Sequence, residues 1–303
     1  IASGMRLPIV LTVVNRALSA PLNIHCDHSD SMGARDAGWI HFYAETGQEA
    51  YDNTIKALKV AENPDVLLPV MSCQDGFITG HGVERVGLLP DDAVKEFVGT
   101  YTPQYALLDT DHPATFGAWD FTDYYFEHKR QQNEVLNNCL PIIEAVSKEY
   151  ELLSGREQPI IDCYGMDDAD IAIIVLSSQA GTTRSVVREL RAKGVKAGVV
   201  KPRVYRPFPA QMIVDAIKNC KAVAVMDRAI SFGAMAGCGP LFLDLTSALY
   251  NLGVRELPVV NYIYGLGGRD TMPTDIEAAF ADLQKIADSG IRGEIVRYMG
   301  LRG

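Results

Sequence analysis

The segment Ile171-Ala-Ile-Ile-Val-Leu176 opens the most regular part of this sequence and decides its fold class. A helical pattern follows over residues 182–193, Gly194 ends it, and residues 196–200 form another short apolar run. Short Val- and Ile-rich runs that alternate with helices are typical of βαβ units, whose parallel strands lie buried under helices. Helices over 210–219, 241–250 and 275–287 and strands over 222–226 and 258–264 continue the alternation. The sequence therefore predicts a doubly wound α/β domain over residues 160–303.

The front of the chain follows the same pattern less regularly. We predict strands over residues 8–15 and 66–72 and a helix over 48–62, which form part of a second α/β domain over residues 1–153. Both strands are nearly continuous runs of Val, Leu, Ile and Met, which favours burial on both faces. Residues 76–120 hold many glycines and prolines and predict a long excursion over a partner or an active site.

Composition narrows the class of protein. A net charge of -10 on 303 residues opposes binding to nucleic acid or to an anionic membrane surface. No run of apolar residues is long enough to predict a transmembrane helix. The six cysteines contain no C-x-x-C pair, which argues against a zinc or iron–sulfur site held by this chain alone and favours reduced thiols in the cytoplasm. The first residue is Ile1 rather than Met, so we expect the sequence to continue a longer polypeptide.

The first strand leads directly to an arginine. The run Pro8-Ile-Val-Leu-Thr-Val-Val14 is followed by Asn15 and Arg16. A guanidinium is always charged and presents a planar fork of donors, so Arg16 can hold a carboxylate or phosphate in a bidentate manner. The structural alternative is an arginine paired with a carboxylate of its own domain, and single-residue reasoning leaves both open.

Three further segments carry candidate chemistry. His25-Cys-Asp27-His28-Ser-Asp30 could supply metal ligands, but we favour an interpretation in which Asp30 or Ser31 caps a helix that begins near Met32. The glycine clusters at 231–239 and 264–270 fit no phosphate-binding motif and are more typical of tight turns. The basic run over 201–206 favours a solvated or inter-subunit surface.

Several motifs occur in order across nearly the whole chain. They are Thr12-Val-Val-Asn-Arg16, Asp27-His28-Ser29-Asp30 with Arg35-Asp36, Gln48-Glu49-Ala-Tyr51-Asp52-Asn53, Asp75-Gly76-Phe77, Arg203-Val-Tyr-Arg206-Pro207, Asp227-Arg228 and Gly265-Leu-Gly267-Gly268-Arg269-Asp270. Together they resemble the α subunit of the 2-oxoacid:ferredoxin oxidoreductases, and most closely that of the pyruvate:ferredoxin oxidoreductases, or pyruvate synthases.

The resemblance implies a fold and a set of site residues. It implies that residues 1–153 are the C-terminal part of a pyrimidine-type thiamine diphosphate-binding domain and that residues 160–303 are a transketolase C-terminal-like domain. It also implies that Arg16 binds the substrate carboxylate, that Leu22 and Ile24 line the pocket for the substrate's methyl group, and that Asp27, His28 and Asp30 lie in the active-site loop.

The resemblance implies cofactors and partners as well. Thiamine diphosphate is shared with partner chains, Mg²⁺ and iron–sulfur (4Fe–4S) clusters lie on partner subunits, coenzyme A is a co-substrate, and ferredoxin accepts the electrons. A glutamate that contacts the aminopyrimidine and a threonine that contacts the substrate carboxylate are expected upstream of Arg16, outside this sequence. We therefore expect a subunit that is not catalytic by itself.

The implied reaction is the oxidative decarboxylation of pyruvate to acetyl-CoA and CO2 with reduction of ferredoxin, or its reverse. One alternative is the same chemistry on a branched-chain or aromatic 2-oxoacid. Alternatives of other classes are a metal-dependent hydrolase centred on His25, Asp27, His28 and Asp30, and a non-catalytic assembly subunit.

Overall fold

Two β-sheets organise the chain in a computed structural model that describes residues 1–302. One sheet has four strands and the other has six, and most neighbouring strands in both are parallel. The predicted α/β class with two helix-covered sheets is confirmed. No helix within residues 1–302 is both long and apolar enough to cross a membrane.

The first sheet has the strand order β1-β3-β2-β7. Its parallel strands and their helices are β1 (Val10–Asn15), α1 (Ser29–Gly33), β2 (Ile40–Ala44), α2 (Gly47–Ala61) and β3 (Val70–Asp75). β3 begins four residues later than predicted, and its pairing with β1 sets Asn15 opposite Asp75, so both strands end at the same edge. β3 is buried as expected, but β1 is an edge strand on which Leu11 is 44% exposed.

The second sheet has the strand order β10-β9-β8-β5-β6-β4. Its elements are β4 (Ile161–Tyr164), β5 (Ile171–Val175), α6 (Gln179–Ala192), β6 (Ala197–Pro202), α7 (Ala210–Ile217), β8 (Ala222–Asp227), α8 (Pro240–Asn251), β9 (Val259–Ile263), α9 (Pro273–Ser289) and β10 (Val296–Tyr298). The predicted alternation from β5 to α9 is confirmed to within about three residues at each end, whereas the outer strands β4 and β10 were not predicted. α6 and α9 pack on one face, and α7 and α8 lie on the other, between the two sheets.

The excursion over residues 76–120 contains one helix that the sequence did not predict. α3 (Asp91–Val98) lies within residues 76–120, and α4 (Tyr125–Asn138) and α5 (Leu140–Ser154) follow. α5 packs its apolar stripe against α2 through Ile143, Val146 and Tyr150. Residues 99–124 contain no helix or strand and expose large side chains such as Trp119 and Phe121, so the function of the excursion stays a prediction.

The second half of the chain contributes a strand to the first sheet. β7 (Val204–Arg206) pairs antiparallel with β2, so that Phe42 faces Val204 and His41 faces Arg206. One apolar core is also shared, because Met71 and Cys73 of the first sheet pack in the same cluster as Val200 and Val225 of the second. The two sheets are therefore packed into one body.

Buried charges reinforce this junction, in a group that we term the interdomain charge cluster: Lys201, Glu45, Glu49, Arg184 and Asp162. Lys201 is only 1% exposed and its ammonium lies 2.6 Å from Glu45 Oε2 and 2.7 Å from Glu49 Oε1. Arg184 bridges Glu45 at 3.3 Å and Asp162 at 2.8 Å. Our interpretation of the basic run 201–206 as a solvated surface was wrong, because Lys201 and Arg203 face carboxylates across the domain junction instead of water.

The predicted helix cap was also wrong. α1 begins at Ser29 and ends at Gly33, and its N-cap residue, His28, makes no side-chain capping bond. Asp30 lies inside this helix, where its carboxylate binds groups of the preceding strand instead. Asp30 therefore makes contacts with the end of β1 instead of the helix cap that the local sequence pattern predicted.

Candidate active site

Arg16 lies at the carboxyl edge of the first sheet, directly after β1, and its side chain is exposed. Its backbone N–H donates to Asp30 Oδ2 at 2.8 Å. The neighbouring Asn15 Nδ2 donates to Asp30 Oδ1 and to Ser31 Oγ, both at 2.8 Å. Asp30 therefore fixes the turn that presents Arg16, and the end of the strand cannot shift without breaking these bonds.

The guanidinium of Arg16 lies over an aromatic ring. Its Cζ is 5.1 Å from the ring centroid of Phe77, within the range of a cation–π contact. Phe77 follows β3 in a left-handed conformation, with φ of 61°, and its ring stacks on His81 with centroids 4.1 Å apart. His25 packs on the same ring at 4.8 Å. The aromatic group thus supports the arginine from one side.

Gly76 allows this arrangement. A Cβ at Gly76 would lie 2.5 Å from the carbonyl oxygen of Asn15 and 3.3 Å from Cγ of Arg16. Any larger residue would therefore push the ends of β1 and β3 apart. The sequence contained the motif Asp75-Gly76-Phe77, but its role was not predicted; the signal was a glycine placed directly after a buried strand.

Within residues 1–302, no carboxylate forms an ion pair with the guanidinium of Arg16. Most other arginines near the domain junction are paired, as Arg228 is with Asp75 at 3.0 Å and Arg206 with Asp244 at 2.9 Å. The structural alternative for Arg16, a pair with its own domain, is therefore not observed. A free, exposed guanidinium at a strand end is suited to binding an anion.

Leu22 and Ile24 lie on the loop that follows Arg16. Leu22 is 81% exposed and Ile24 is 49% exposed, and Leu18 on the same loop is exposed too. The loop is closed by a hydrogen bond from Ala17 N to His25 O, at 2.9 Å. The structure thus gathers a cation and several exposed apolar side chains on one short loop, while the lining role of Leu22 and Ile24 stays a prediction.

The residues of the predicted histidine and carboxylate cluster do not converge on one point. His25 is exposed and packs on Phe77, whereas Asp27 is buried and accepts hydrogen bonds from Ser29 N at 2.9 Å and Gly267 N at 3.1 Å. His28 Nε2 is 2.7 Å from Asp75 Oδ1, and Asp30 holds the turn at Arg16. Each side chain has its own structural partner, so the metal-dependent hydrolase is not favoured.

Asp75 is the centre of a buried polar group at the end of β3. It contacts His28, Arg228 Nη1 and the backbone N–H of Ser178, and it accepts a short hydrogen bond from the Ser178 hydroxyl. Burial alone would raise the pKa of Asp75, but the neighbouring His28 and Arg228 hold it well below its usual range. This carboxylate is therefore charged and serves to join the first sheet to the second domain.

The Asp75 group does not fit a metal cofactor. Ligand atoms of Cys26, His28 and Asp75 lie within 4.8 Å of one another, but the Arg228 guanidinium is 3.5 Å from the Cys26 sulfur and 3.0 Å from Asp75. The arginine thus supplies the positive charge that an ion would bring. Burial also raises the pKa of the Cys26 thiol, whereas metal ligation requires a thiolate. Mg²⁺ prefers oxygen ligands and a 4Fe–4S cluster requires thiolates, so this group suits neither.

The glycine cluster at 231–239 serves a helix start rather than a phosphate. The carboxylate of Asp227, at the end of β8, accepts hydrogen bonds from Leu241 N at 2.9 Å and Phe242 N at 3.1 Å, in the first turn of α8. Burial raises the pKa of Asp227 to about 6 despite these bonds. Because an internal carboxylate already occupies the amides, this helix start does not offer an anion site.

The fold and the strand-end arginine define a class: a two-sheet α/β protein that presents an unpaired cation beside an apolar loop at the carboxyl edge of a parallel sheet. Comparison with known proteins then gives the family. Residues 1–148 match the family described as "Pyruvate flavodoxin/ferredoxin oxidoreductase, thiamine diP-bdg", and residues 169–276 match "Pyruvate:ferredoxin oxidoreductase core domain II".

Individual relatives agree with this assignment. The pyruvate synthase subunit PorA of Thermotoga maritima is 49% identical over the whole of this chain, which spans 75% of that protein. The PorA of Methanosarcina barkeri is 44% identical over 99% of the chain and 74% of its own length. The ketoisovalerate oxidoreductase subunit VorA of Pyrococcus abyssi is 38% identical over 99% of this chain and 75% of that protein. The chain belongs to the pyruvate:ferredoxin oxidoreductase family.

A solved structure shares the fold. The 2-oxoglutarate:ferredoxin oxidoreductase of Magnetococcus marinus, solved with 2-oxoglutarate, coenzyme A and succinyl-CoA bound, superposes with a TM-score of 0.60 at 18% sequence identity. The match covers 93% of this chain and 49% of that one, so the chain spans about half the length of the solved protein.

Proposed function

We propose that this chain is the α component of a complex that oxidatively decarboxylates pyruvate to acetyl-CoA and CO2 and passes the electrons to ferredoxin, or runs the reverse reaction. The observation that carries the proposal is Arg16, an exposed guanidinium held in place by Asp30 and Phe77 with no carboxylate partner among residues 1–302. The relatives named as pyruvate synthase subunits support pyruvate as the substrate.

In this proposal Arg16 binds and orients the substrate carboxylate. Two parallel N–H···O bonds would fix the 2-oxoacid with its keto carbon in one position, which is the proximity effect that accelerates the chemical step. Thiamine diphosphate, when bound, supplies the carbanion chemistry that releases CO2. Leu22 and Ile24 would contact the substrate's methyl group and keep water away from it.

The domain roles follow from the same family. Residues 1–153 form part of a pyrimidine-type thiamine diphosphate-binding domain and residues 160–303 form a transketolase C-terminal-like domain. The sheet pairing of β7 with β2 supports an arrangement in which the second domain holds the first. The family resemblance implies that partner subunits supply the Mg²⁺–diphosphate site and the iron–sulfur clusters, and the cytoplasmic location stays a prediction.

Substitution of Arg16 tests the proposal. In the assembled complex, Arg16→Ala is expected to lower kcat/KM for pyruvate by about two to three orders of magnitude, mainly through KM, because charge-assisted hydrogen bonds to the carboxylate are lost. The kcat/KM of Arg16→Lys should fall between that of wild type and that of Arg16→Ala, since lysine keeps the charge but loses the fork of donors.

Arg255 provides the matched control. It is also exposed, and its guanidinium lies 4.6 Å from the ring centroid of Tyr250, but it precedes β9 at the amino edge of the second sheet. Arg255→Ala should leave pyruvate kinetics unchanged. Equal effects of the two alanine variants would show that Arg16 does not bind the substrate carboxylate.

A substrate panel tests the choice of 2-oxoacid. The similarity to a ketoisovalerate oxidoreductase subunit makes 3-methyl-2-oxobutanoate the competing substrate. We expect a higher kcat/KM for pyruvate than for 3-methyl-2-oxobutanoate or phenylpyruvate, with electrons delivered to ferredoxin in each case. A preference for the branched acid would reassign the substrate while keeping the reaction class.

A further inference from the structure

The turn Gly265-Leu-Gly-Gly268 contacts the loop that carries Leu22 and Ile24. It follows β9 in the second domain, more than 230 residues away in sequence from that loop. Gly265, Gly267 and Gly268 have φ of +63°, +60° and +79°, a region that side-chain-bearing residues rarely adopt. The turn thus has a shape that depends on its glycines, and the loop that carries Leu22 and Ile24 lies against it.

Hydrogen bonds connect the turn to the loop. Gly268 N donates to Cys26 O at 2.7 Å, and Gly267 N donates to Asp27 Oδ2 at 3.1 Å. In the other direction, Asn23 Nδ2 donates to Gly267 O at 3.0 Å. These bonds fix residues 23–27 to backbone groups of the turn in the second domain, so the position of the loop is set from outside its own sheet.

The approach leaves no room for a side chain at Gly267 or Gly268. A Cβ on Gly267 would lie 2.4 Å from Asn23 Nδ2, and a Cβ on Gly268 would lie 2.4 Å from His25 Cβ. A methyl group added at Gly268 meets the Cβ of His25, which is fixed to the backbone, so the loop itself must shift. A methyl group added at Gly267 meets the side-chain amide of Asn23, which must move and give up its hydrogen bond to Gly267 O. Leu22 and Ile24 flank Asn23 on this loop, so a shift of the loop backbone would move both apolar side chains relative to Arg16.

We propose that Gly267 and Gly268 are positioning residues that set which 2-oxoacid side chain the site accepts. The turn holds the loop of Leu22 and Ile24 at a fixed distance from Arg16, and that distance determines the space left beside a bound carboxylate. This inference rests on the proposed function. An apolar wall distinguishes substrates that differ by one methylene by about 10- to 200-fold, and it does so only while its position is fixed.

Substitution of the turn glycines in the assembled complex tests this role. The measurement is kcat/KM for pyruvate and for 2-oxobutanoate, which is one methylene longer. Gly268→Ala and Gly267→Ala are expected to reduce the preference for pyruvate by at least about fivefold, because a displaced wall discriminates less. Gly253→Ala is the matched control, since Gly253 has a φ of +82° and open space around it.

The control separates selectivity from strain. Gly253→Ala introduces the same backbone strain without a contact, and we expect it to leave the substrate ratio at the wild-type value. A substrate ratio that stays at the wild-type value in Gly267→Ala and Gly268→Ala would overturn the proposal, even if overall activity fell.

A second variant and a second measurement keep the test valid if an alanine turn folds poorly. Asn23→Ala removes the bond to Gly267 O from the loop side and should relax selectivity in the same direction. Hydrogen–deuterium exchange of residues 17–25, without substrate, should be faster in Gly268→Ala and Asn23→Ala than in Gly253→Ala. If exchange rises while the substrate ratio is unchanged, the turn has a structural role only.

Turnover and hydrogen–deuterium exchange together distinguish a failure of this inference from a failure of the proposed function. If the wild-type complex turns over no 2-oxoacid, the proposed function fails, and the positioning role fails with it. If the complex oxidises pyruvate and responds to Arg16→Ala, but exchange of the loop is identical in all glycine variants, only the present inference is overturned.

Discussion

The interdomain charge cluster and the loop after β1 differ in how their charged side chains are paired. Lys201 is enclosed by Glu45, Glu49 and Asp162, with every distance at or below 3.3 Å. Arg16 is exposed, lies over Phe77 and has no ion pair within residues 1–302. Paired charges at the junction therefore hold the two sheets together, whereas a lone cation beside apolar side chains is available for a ligand.

The largest effect on stability is expected at Lys201. Lys201→Met would leave Glu45 and Glu49 with only the longer contacts to Arg184 at 3.3 Å and Arg203 at 3.7 Å. Removal of one partner of a buried ion pair costs about 3–5 kcal/mol, and we expect a loss near the lower end of that range. The free energy of urea unfolding is the measurement. Lys221→Met is the control, because Lys221 is exposed where it pairs with Asp170 at 3.2 Å and such pairs contribute about 1 kcal/mol or less. Equal losses of unfolding free energy in the two variants would mean that the interdomain charge cluster stabilises the fold no more than an exposed ion pair does.

A buried histidine extends the rule that interior groups must be paired or neutral. His41 is fully buried on β2, neither ring nitrogen has a hydrogen-bond partner among residues 1–302, and burial lowers the pKa of His41 to about 3, with help from the charge of Arg206. The folded state keeps the ring neutral, whereas the unfolded state binds a proton below about pH 6.5. Stability is therefore lost as pH falls from about 6.5 toward 3.

His41→Leu should remove this dependence. We compare the free energy of unfolding of His41→Leu with that of wild type at two pH values. This difference should favour the variant by about 2 kcal/mol more at pH 5 than at pH 7.5, since each pH unit below about 6.5 contributes about 1.4 kcal/mol. His112→Leu, at an exposed histidine, should show no such change between the two pH values. A constant difference for His41→Leu at both pH values would contradict the neutral buried state.

At the exposed loop, the effect expected of Phe77 is smaller and falls on function. Phe77→Leu removes the ring under Arg16 and should raise KM for pyruvate about two- to fivefold, as expected for a cation–π contact of about 0.5–1 kcal/mol. Phe77→Tyr should stay near wild type because it keeps the ring. Tyr250→Leu, which removes the ring under Arg255, provides the control in the same steady-state assay.

The sequence predicted the elements well and the contacts between them poorly. β5 and α8 were found within a few residues because apolar periodicity is a local property. β7 was missed because three residues carry no strand signal of their own and pair with β2 more than 150 residues away.

The site shows the same division. Arg16 was found because a charged residue after an apolar strand is visible in the sequence. His28 was assigned to the same loop, but its partner Asp75 could not be foreseen, since the two meet only when β3 lies beside β1. The density of ionisable residues after β1 was visible in the sequence, whereas their use in packing depended on the tertiary fold; that they form a substrate site stays a prediction.

The smallest expected effect on stability is the one that separates the two regions most sharply. Arg16→Ala should change the free energy of unfolding by no more than about 1 kcal/mol, because the contact it removes is an exposed cation–π contact with Phe77. Its backbone N–H still donates to Asp30, so the turn is retained in the variant. A loss close to that of Lys201→Met would mean that Arg16 is a structural residue. A stable variant with impaired use of pyruvate would mean that the charge of Arg16 serves a ligand, because folding gains little from it.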